Sequence, residues 1–178
     1  AIPHQINDTV LAASQVIVSM QQIVSRRTNP FNPTVLTFGK FIANGATNVI
    51  PNEVIIAGSL RCMDEDERAK IKPIIRETAI STANIYGCEC DIAVYDGYPS
   101  TNNNEEVTET VKQFASEYLG EDKTGEYPCR MTSEDFGYFT QHYPATFYRF
   151  GIQGKQKSTG LHTPTFLIDE DALLTSVG

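Results

Sequence analysis

The chain reads as an α/β protein of the mixed, α+β kind. Three observations predict this: two long segments with apolar residues at helical spacing, three segments of strand composition, and their order. That order is helix, strand, strand, helix, strand over residues 8 to 95. One strand added before Ala1 would complete the βαββαβ ferredoxin-like unit. The expected fold is therefore a ferredoxin-like domain lacking its first strand, followed by a second α/β segment.

The first helix is expected over residues 8 to 26. Asp8 is a suitable N-cap, and Ala13, Val16, Ile17, Met20, Ile23 and Val24 make one apolar stripe. Arg26 and Arg27 complement the dipole at its C-terminal end. Asn29-Pro30 and Asn32-Pro33 then turn the chain. Residues 34 to 43 are rich in β-branched and aromatic side chains and predict a strand. A second strand is expected from about Glu53 to Met63. Val54, Ile56, Leu60 and Cys62 share one face, and Ile55, Ala57, Ser59 and Arg61 the other. The two form a hairpin at Asn44-Gly45, or a longer excursion through Asn48-Val49-Ile50-Pro51. A second helix runs from about Glu65 to Tyr86, with Gly87 as its stop and Pro73 set to kink it or delay its start. A strand from Glu89 to Tyr95 completes the set.

Asp96-Gly97-Tyr98-Pro99-Ser100 reads as a hinge. Beyond it the pattern predicts a helix over 104 to 119, stopped by Gly120, and a short strand before Cys129. A helix over 134 to 141 capped by Ser133 and an apolar strand over 145 to 151 follow. A proline-punctuated loop then carries Leu161-His162-Thr163-Pro164-Thr165-Phe166. Asp169-Glu170-Asp171 opens an acidic-capped helix near the end. The chain starts Ala1-Ile2-Pro3-His4, with no basic, apolar leader. Both ends look cut through structural elements, which points to a fragment; a short protein processed at Ala1 is the alternative.

The composition, 40% hydrophobic and 20% charged, fits a globular chain with a core. No apolar run approaches the ~20 residues that span a bilayer. The net charge of −8 disfavours nucleic acid and anionic membranes as partners. Cys62, Cys88, Cys90 and Cys129 contain no Cys-x-x-Cys pair, which disfavours a cysteine zinc site. They read as reduced, partly buried thiols of a cytoplasmic protein, with Cys88 and Cys90 on one side of a strand. His162 has the setting of a metal ligand at the lip of a cleft. A hydrolytic metal site needs about three protein ligands, however, and the chain's three histidines lie far apart.

An ordered set of short segments carries a family resemblance. They are Pro3-His4 with Asp8, Gln21-Gln22-Ile23-Val24-Ser25-Arg26, Asn48-Val49-Ile50-Pro51, Gly58-Ser59-Leu60-Arg61, Gly97-Tyr98-Pro99, Glu134-Asp135-Phe136 and the His162 loop. The chain resembles the C-terminal part of dinuclear metallopeptidases of the aminoacylase and carboxypeptidase group. The branch it resembles is that of hippurate hydrolase and the indole-acetyl-amino-acid hydrolases. The resemblance implies that residues 1 to 97 are most of a lid and dimerisation domain, and that 98 to 178 are the C-terminal segment of an α/β metallopeptidase catalytic domain. It also implies two divalent metal ions (zinc, manganese, cobalt or nickel) and a homodimer formed through the lid. The family's cysteine–histidine–aspartate ligand segment, its paired glutamates and its lid histidine are missing here. Glu105-Glu106 replaces none of them, so the resemblance places no catalytic residue in this chain.

Five residues become site candidates. His162 matches the family's C-terminal metal ligand, with a neutral imidazole nitrogen on the metal. Arg61 matches a guanidinium fork for the α-carboxylate of an N-acyl amino acid; otherwise it is a solvated edge arginine. Asn48 either bonds its own turn or extends its amide to the substrate. Glu134 lines the substrate pocket, or serves with Asp135 at a helix N-terminus. His4 lines the cleft, or packs and caps. Two functions follow. One is a metal-dependent amidohydrolase of N-acyl amino acids or similar conjugates, of which this chain is an inactive portion. The other is a non-enzymatic ferredoxin-like module for small-molecule binding or dimerisation, which would need no metal.

Overall fold

The computed structural model describes residues 2–154 and 159–177. Ala1 and Gly178, on which the reading of the chain ends turned, lie outside the described residues. The chain divides into two compact units. One holds Ala1–Ser100 with Met131–Glu134, the other Thr101–Arg130 with Asp135–Gly178.

In the first unit, helix α1 spans Thr9–Gln22 and continues as one wider, π-type turn over Ile23–Arg27. The Asp8 carboxylate accepts from the Leu11 amide at 2.9 Å, which is the expected N-cap. Strands β1 (Thr34–Ile42) and β2 (Ile55–Cys62) pair antiparallel, with Val35 opposite Arg61 and a bulge between Phe38 and Lys40. Their connection is the longer excursion, in which Ala46 and Val49 exchange two backbone bonds. Gly58 sits opposite Phe38, and a Cβ there would lie 2.8 Å from the Phe38 ring. A Cβ would also run into the Thr37 backbone carbonyl, the nearest atom, so the strand needs glycine there. Helix α2 (Glu65–Ile85) is capped by Asp64, whose carboxylate accepts from Glu67 N at 2.7 Å. It runs unbroken past Pro73, so the proline does not delay its start. Gly87 follows with φ 70°, the left-handed stop that glycine takes without penalty.

The core lies between the two helices and the sheet. Met20, Ile23 and Ile71 are fully buried, joined by Val16, Ile75, Ala79, Ala83 and Cys62. Leu36, Phe38, Ile56 and Leu60 close it from the sheet side.

The strand expected over 89–95 has no ladder among the described residues. Its side chains still alternate: Cys88, Cys90, Ile92 and Val94 pack on the core, and the residues between them face outward. The βαββαβ order explains the difference. Each βαβ unit of that fold is split by a strand of the other, so the last strand pairs with the first and not with β1 or β2. No such first strand stands among the described residues, and 89–95 keeps the side-chain alternation without the ladder. It is held instead by α2. Arg76 donates to the Ile92 carbonyl at 3.1 Å, Lys72 pairs with Asp96, and Arg68 donates to the Tyr98 carbonyl at 3.2 Å. Glu65 accepts from Ser100 N at 2.8 Å and pairs with Arg68. The Lys72 hydrogen bond, with its charge, holds the Asp96 carboxyl below its ordinary range. Burial, reinforced by Asp91, pushes the Cys90 thiol up. All four cysteines are free; Cys129 is exposed, not partly buried as expected.

In the second unit, α3 (Glu105–Leu119) is capped by Asn104, which accepts from Val107 N at 3.0 Å. Helices α4 (Gly137–His142) and α5 (Asp171–Ser176) are short. Neither the strand expected before Cys129 nor that over 145–151 forms among the described residues. At 145–151 the reason is one side chain from a distant part of the sequence. The Asn103 side-chain amide donates to the Phe147 carbonyl at 3.0 Å and accepts its N–H at 2.8 Å, taking the place of a neighbouring strand. Among the described residues this unit has no fully buried hydrophobic side chain, and Phe114 and Tyr118 of α3 are exposed.

Candidate functional site

Arg61 is the candidate most firmly built into the fold. β2 places it opposite Val35, half-buried rather than solvated at an edge. Its Nη1 donates to the Met131 carbonyl at 2.9 Å and to the Ser133 hydroxyl at 3.0 Å. The guanidinium has five N–H donors. These two bonds start from one nitrogen, so the Nη2 and Nε edge remains able to grip a carboxylate.

The same contact corrects the reading of Ser133. It does not cap a helix over 134–141, because α4 begins at Gly137. The hydroxyl is Arg61's partner, and Glu134 lies three residues ahead of the helix. Helix-end electrostatics therefore do not account for Glu134, which is half-buried beside the residues that hold Arg61. The sequence signal for Met131 and Ser133 was the small hydroxyl before Glu134-Asp135-Phe136, and it is equally a capping signal.

Asn48 is exposed in the two-residue turn Thr47-Asn48 between the bridged Ala46 and Val49. Its side-chain amide bonds no described residue, so the turn does not consume it. The segment is anchored by Thr9, whose hydroxyl donates to the Pro51 carbonyl at 2.7 Å. His4 is exposed in a single 3-10 turn, Pro3–Gln5, and makes no side-chain hydrogen bond to a described residue. Arg61, Asn48, His4 and Glu134 all belong to the first unit.

His162 belongs to the second unit. Its backbone is left-handed, at φ 64°, and no other described non-glycine residue has positive φ. Histidine tolerates that region better than most side chains, but the conformation still costs energy and clusters at functional positions. Threonines hold the loop. Thr163 donates to the Gly160 carbonyl at 2.8 Å, and Thr159 lies 2.5 Å from the Thr163 hydroxyl and 3.0 Å from that of Thr165. His162 is exposed, and its imidazole makes no hydrogen bond to a described residue.

A metal site does not assemble from these parts. Among the described residues no group of three or more histidine, cysteine, aspartate or glutamate side chains could hold an ion. His162 can supply one ligand, and a catalytic ion needs about three. The described residues thus provide one braced guanidinium and one imidazole, with no metal centre among them. No helix among them is long and apolar enough to cross a membrane.

Comparison with known proteins agrees along the whole length. The profile of the peptidase family M20/M25/M40 matches residues 7–177. The N-acetyldiaminopimelate deacetylase of Enterococcus faecalis is 35% identical over 99% of this chain and 46% of its own length. The N-acetyl-L-cysteine deacetylase of Bacillus subtilis is 32% identical over 98% and 41%. The IAA-amino acid hydrolase ILR1-like 4 of Arabidopsis thaliana is 32% identical over 97% and 41%. A crystal structure from methicillin-resistant Staphylococcus aureus superposes with a TM-score of 0.77 at 32% identity, covering 99% of this chain and 46% of that one. The YXEP protein of Bacillus subtilis, a dinuclear metal-binding peptidase, shares the fold with a TM-score of 0.72 at 24% identity, over 95% and 43%. The chain spans less than half the length of these relatives. Matched from Asn7 to Val177, it belongs to the peptidase family M20/M25/M40.

Proposed function

We propose that this chain is part of a metal-dependent amidohydrolase that cleaves N-acyl amino acids. The observation that carries the reading is Arg61. It is held on Met131 and Ser133 with a guanidinium edge left for a carboxylate. Deacetylases of N-acetyl amino acids among the relatives support the substrate class. Asn48, with its unbonded amide, would add a second contact to the carboxylate or the amide carbonyl. His4 and Glu134 would line the pocket. His162 would give one ligand to a centre of two divalent ions, zinc, manganese, cobalt or nickel. The other ligands and the general base would come from residues outside these 178.

Residues 1–97 would then be the lid, pairing with a second copy, and 98–178 a part of the catalytic domain. The exposed Phe114 and Tyr118 of α3 accord with a layer completed by residues outside the chain. A cytoplasmic setting fits the free thiols.

The test is hydrolysis of N-acetyl and N-benzoyl amino acids by the full-length protein, with metal content measured in parallel. The expected result is turnover with about two ions per site, with both reduced by His162→Ala. Full turnover after complete chelation would overturn the metal reading. Binding of the same compounds without turnover, in a metal-free protein, would favour the small-molecule-binding module.

A further inference from the structure

Tyr127 carries two arginines. The guanidinium carbon of Arg130 lies 5.0 Å from its ring centroid, and that of Arg149 lies 4.9 Å from it. Both arginines are exposed, and among the described residues neither forms an ion pair or a hydrogen bond. We propose that Arg130, Arg149 and Tyr127 form a binding site for small oxyanions bearing a carboxylate or phosphate group. The site lies within the second unit, and it stands whether or not the chain serves an amidohydrolase.

The argument starts from how stacking uses a guanidinium. Cation–π contact engages the flat face and leaves the N–H edge free. Each edge is a planar fork matched to two oxygens of a carboxylate or phosphate. Two such forks on one ring, with the phenolic O–H as a further donor, gather donors around Tyr127, and among the described residues no acceptor engages either guanidinium. Two cations also repel one another, which a bound anion would relieve. The chain's net charge of −8 makes the arrangement more telling, because carboxylates are plentiful and none of the described ones pairs with these arginines. The nearest carboxylate in sequence, Glu126, is engaged by Lys112 at 3.7 Å.

The backbone under the site is fixed. Arg149 lies two residues beyond Phe147, whose N–H and C=O are both held by Asn103. Ala145 accepts from Asn104 N at 2.8 Å, and the Thr146 hydroxyl accepts from Thr108 at 2.9 Å. The Lys112–Glu126 pair brings the residue before Tyr127 beside α3. The two sides of the site are thus tied to one helix and its entry.

The experiment titrates the chain with inorganic phosphate and, separately, with succinate, at ionic strength held constant with chloride. Binding is read by calorimetry and by the NMR signals of the arginine Nε–H groups. Saturable binding of either anion is expected, with the Arg130 and Arg149 signals moving together. Phosphate alone would identify phosphoryl ligands, and succinate alone carboxylates. Arg130→Gln and Arg149→Gln should each weaken binding about tenfold or more, as loss of a charged fork does. Arg149→Lys should weaken it comparably, because it keeps the charge and loses the fork. The Arg26→Gln, Arg27→Gln double variant should bind as the unsubstituted chain does. No saturation by about 10 mM of either anion would overturn the proposal. So would equal losses in the Arg26, Arg27 control, or unchanged affinity in Arg149→Lys. The Nε–H signals report on the unsubstituted chain, so the outcome does not depend on any variant folding.

Discussion

Replacing Arg61 tests the functional reading most directly. In Arg61→Ala two bonds from a charged donor are lost, to Met131 at 2.9 Å and to Ser133 at 3.0 Å. The residue is half-buried, so their combined worth to stability is about 1–2 kcal/mol after allowance for solvent. The effect on substrate is separate. A guanidinium fork on a ligand carboxylate is worth ~1.5–3 kcal/mol, which is about a 10- to 150-fold rise in KM. Ser133→Ala keeps the fork and loosens one anchor, so its cost should be nearer ~0.5–1.5 kcal/mol and its rise in KM below about tenfold. The assay compares N-acetyl amino acids with matched amides that lack the carboxylate, using the full-length protein below its unfolding temperature. Both variants should lose affinity for the first group, in the order Arg61→Ala before Ser133→Ala, and hydrolyse the second nearly as the parent does. Equal losses on both groups would refute the grip and leave Arg61 a brace for Met131–Ser133.

The 178-residue chain alone should show no turnover of N-acyl amino acids with added zinc, manganese or cobalt; activity that copurifies with it and vanishes in His162→Ala would contradict this. Ile71→Ala should destabilise the chain by about 2–5 kcal/mol, since Ile71 is fully buried, whereas Ile85→Ala, at 78% exposed, should stay within ~0.5 kcal/mol; urea unfolding separates the two. The Asp96 carboxyl lies below its ordinary 3.8, so its tether to Lys72 is complete above about pH 4 and is lost as pH falls through the lowered value. NMR titration should show Lys72→Met moving that midpoint back up, and an unmoved midpoint would mean that Lys72 does not engage Asp96 in solution. Light scattering at several concentrations should find a dimer or larger species, with cross-links confined to residues 1–97; a strict monomer at tens of micromolar would end that proposal.

Much of the first unit was legible because its signals are local and agree with one another. Asp8 caps where its side chain predicts, Gly87 stops α2, and the helical stripes that bury Met20, Ile23 and Ile71 can be counted from the sequence. The strand signals misled where pairing is non-local. Residues 89–95 have the alternation of a strand, but a ladder also needs a neighbour, and no spacing along the chain reveals whether one is present. At 145–151 the apolar run suggested a strand, yet Asn103 satisfied Phe147 from 44 residues away. The site divides in the same manner. Arg61 stood out through the family resemblance of Gly58-Ser59-Leu60-Arg61; its strand position alone read equally as a solvated edge arginine. Ser133 did not, because a hydroxyl ahead of two acidic residues reads as a cap until the guanidinium is seen on it. Tyr127, Arg130 and Arg149 carried no sequence signal, since a ring shared by two cations is a meeting of distant segments.

The left-handed backbone at His162 sets two selection pressures against each other. At φ 64° a glycine would sit without the penalty that a side chain incurs, and relief of such a position is worth about 1 kcal/mol. A laboratory lineage screened only for heat resistance should therefore drift toward His162→Gly or His162→Asn. A lineage screened for turnover should hold the histidine and collect its stabilising changes elsewhere. Sequencing the two populations after parallel rounds would turn one dihedral angle into a count of survivors.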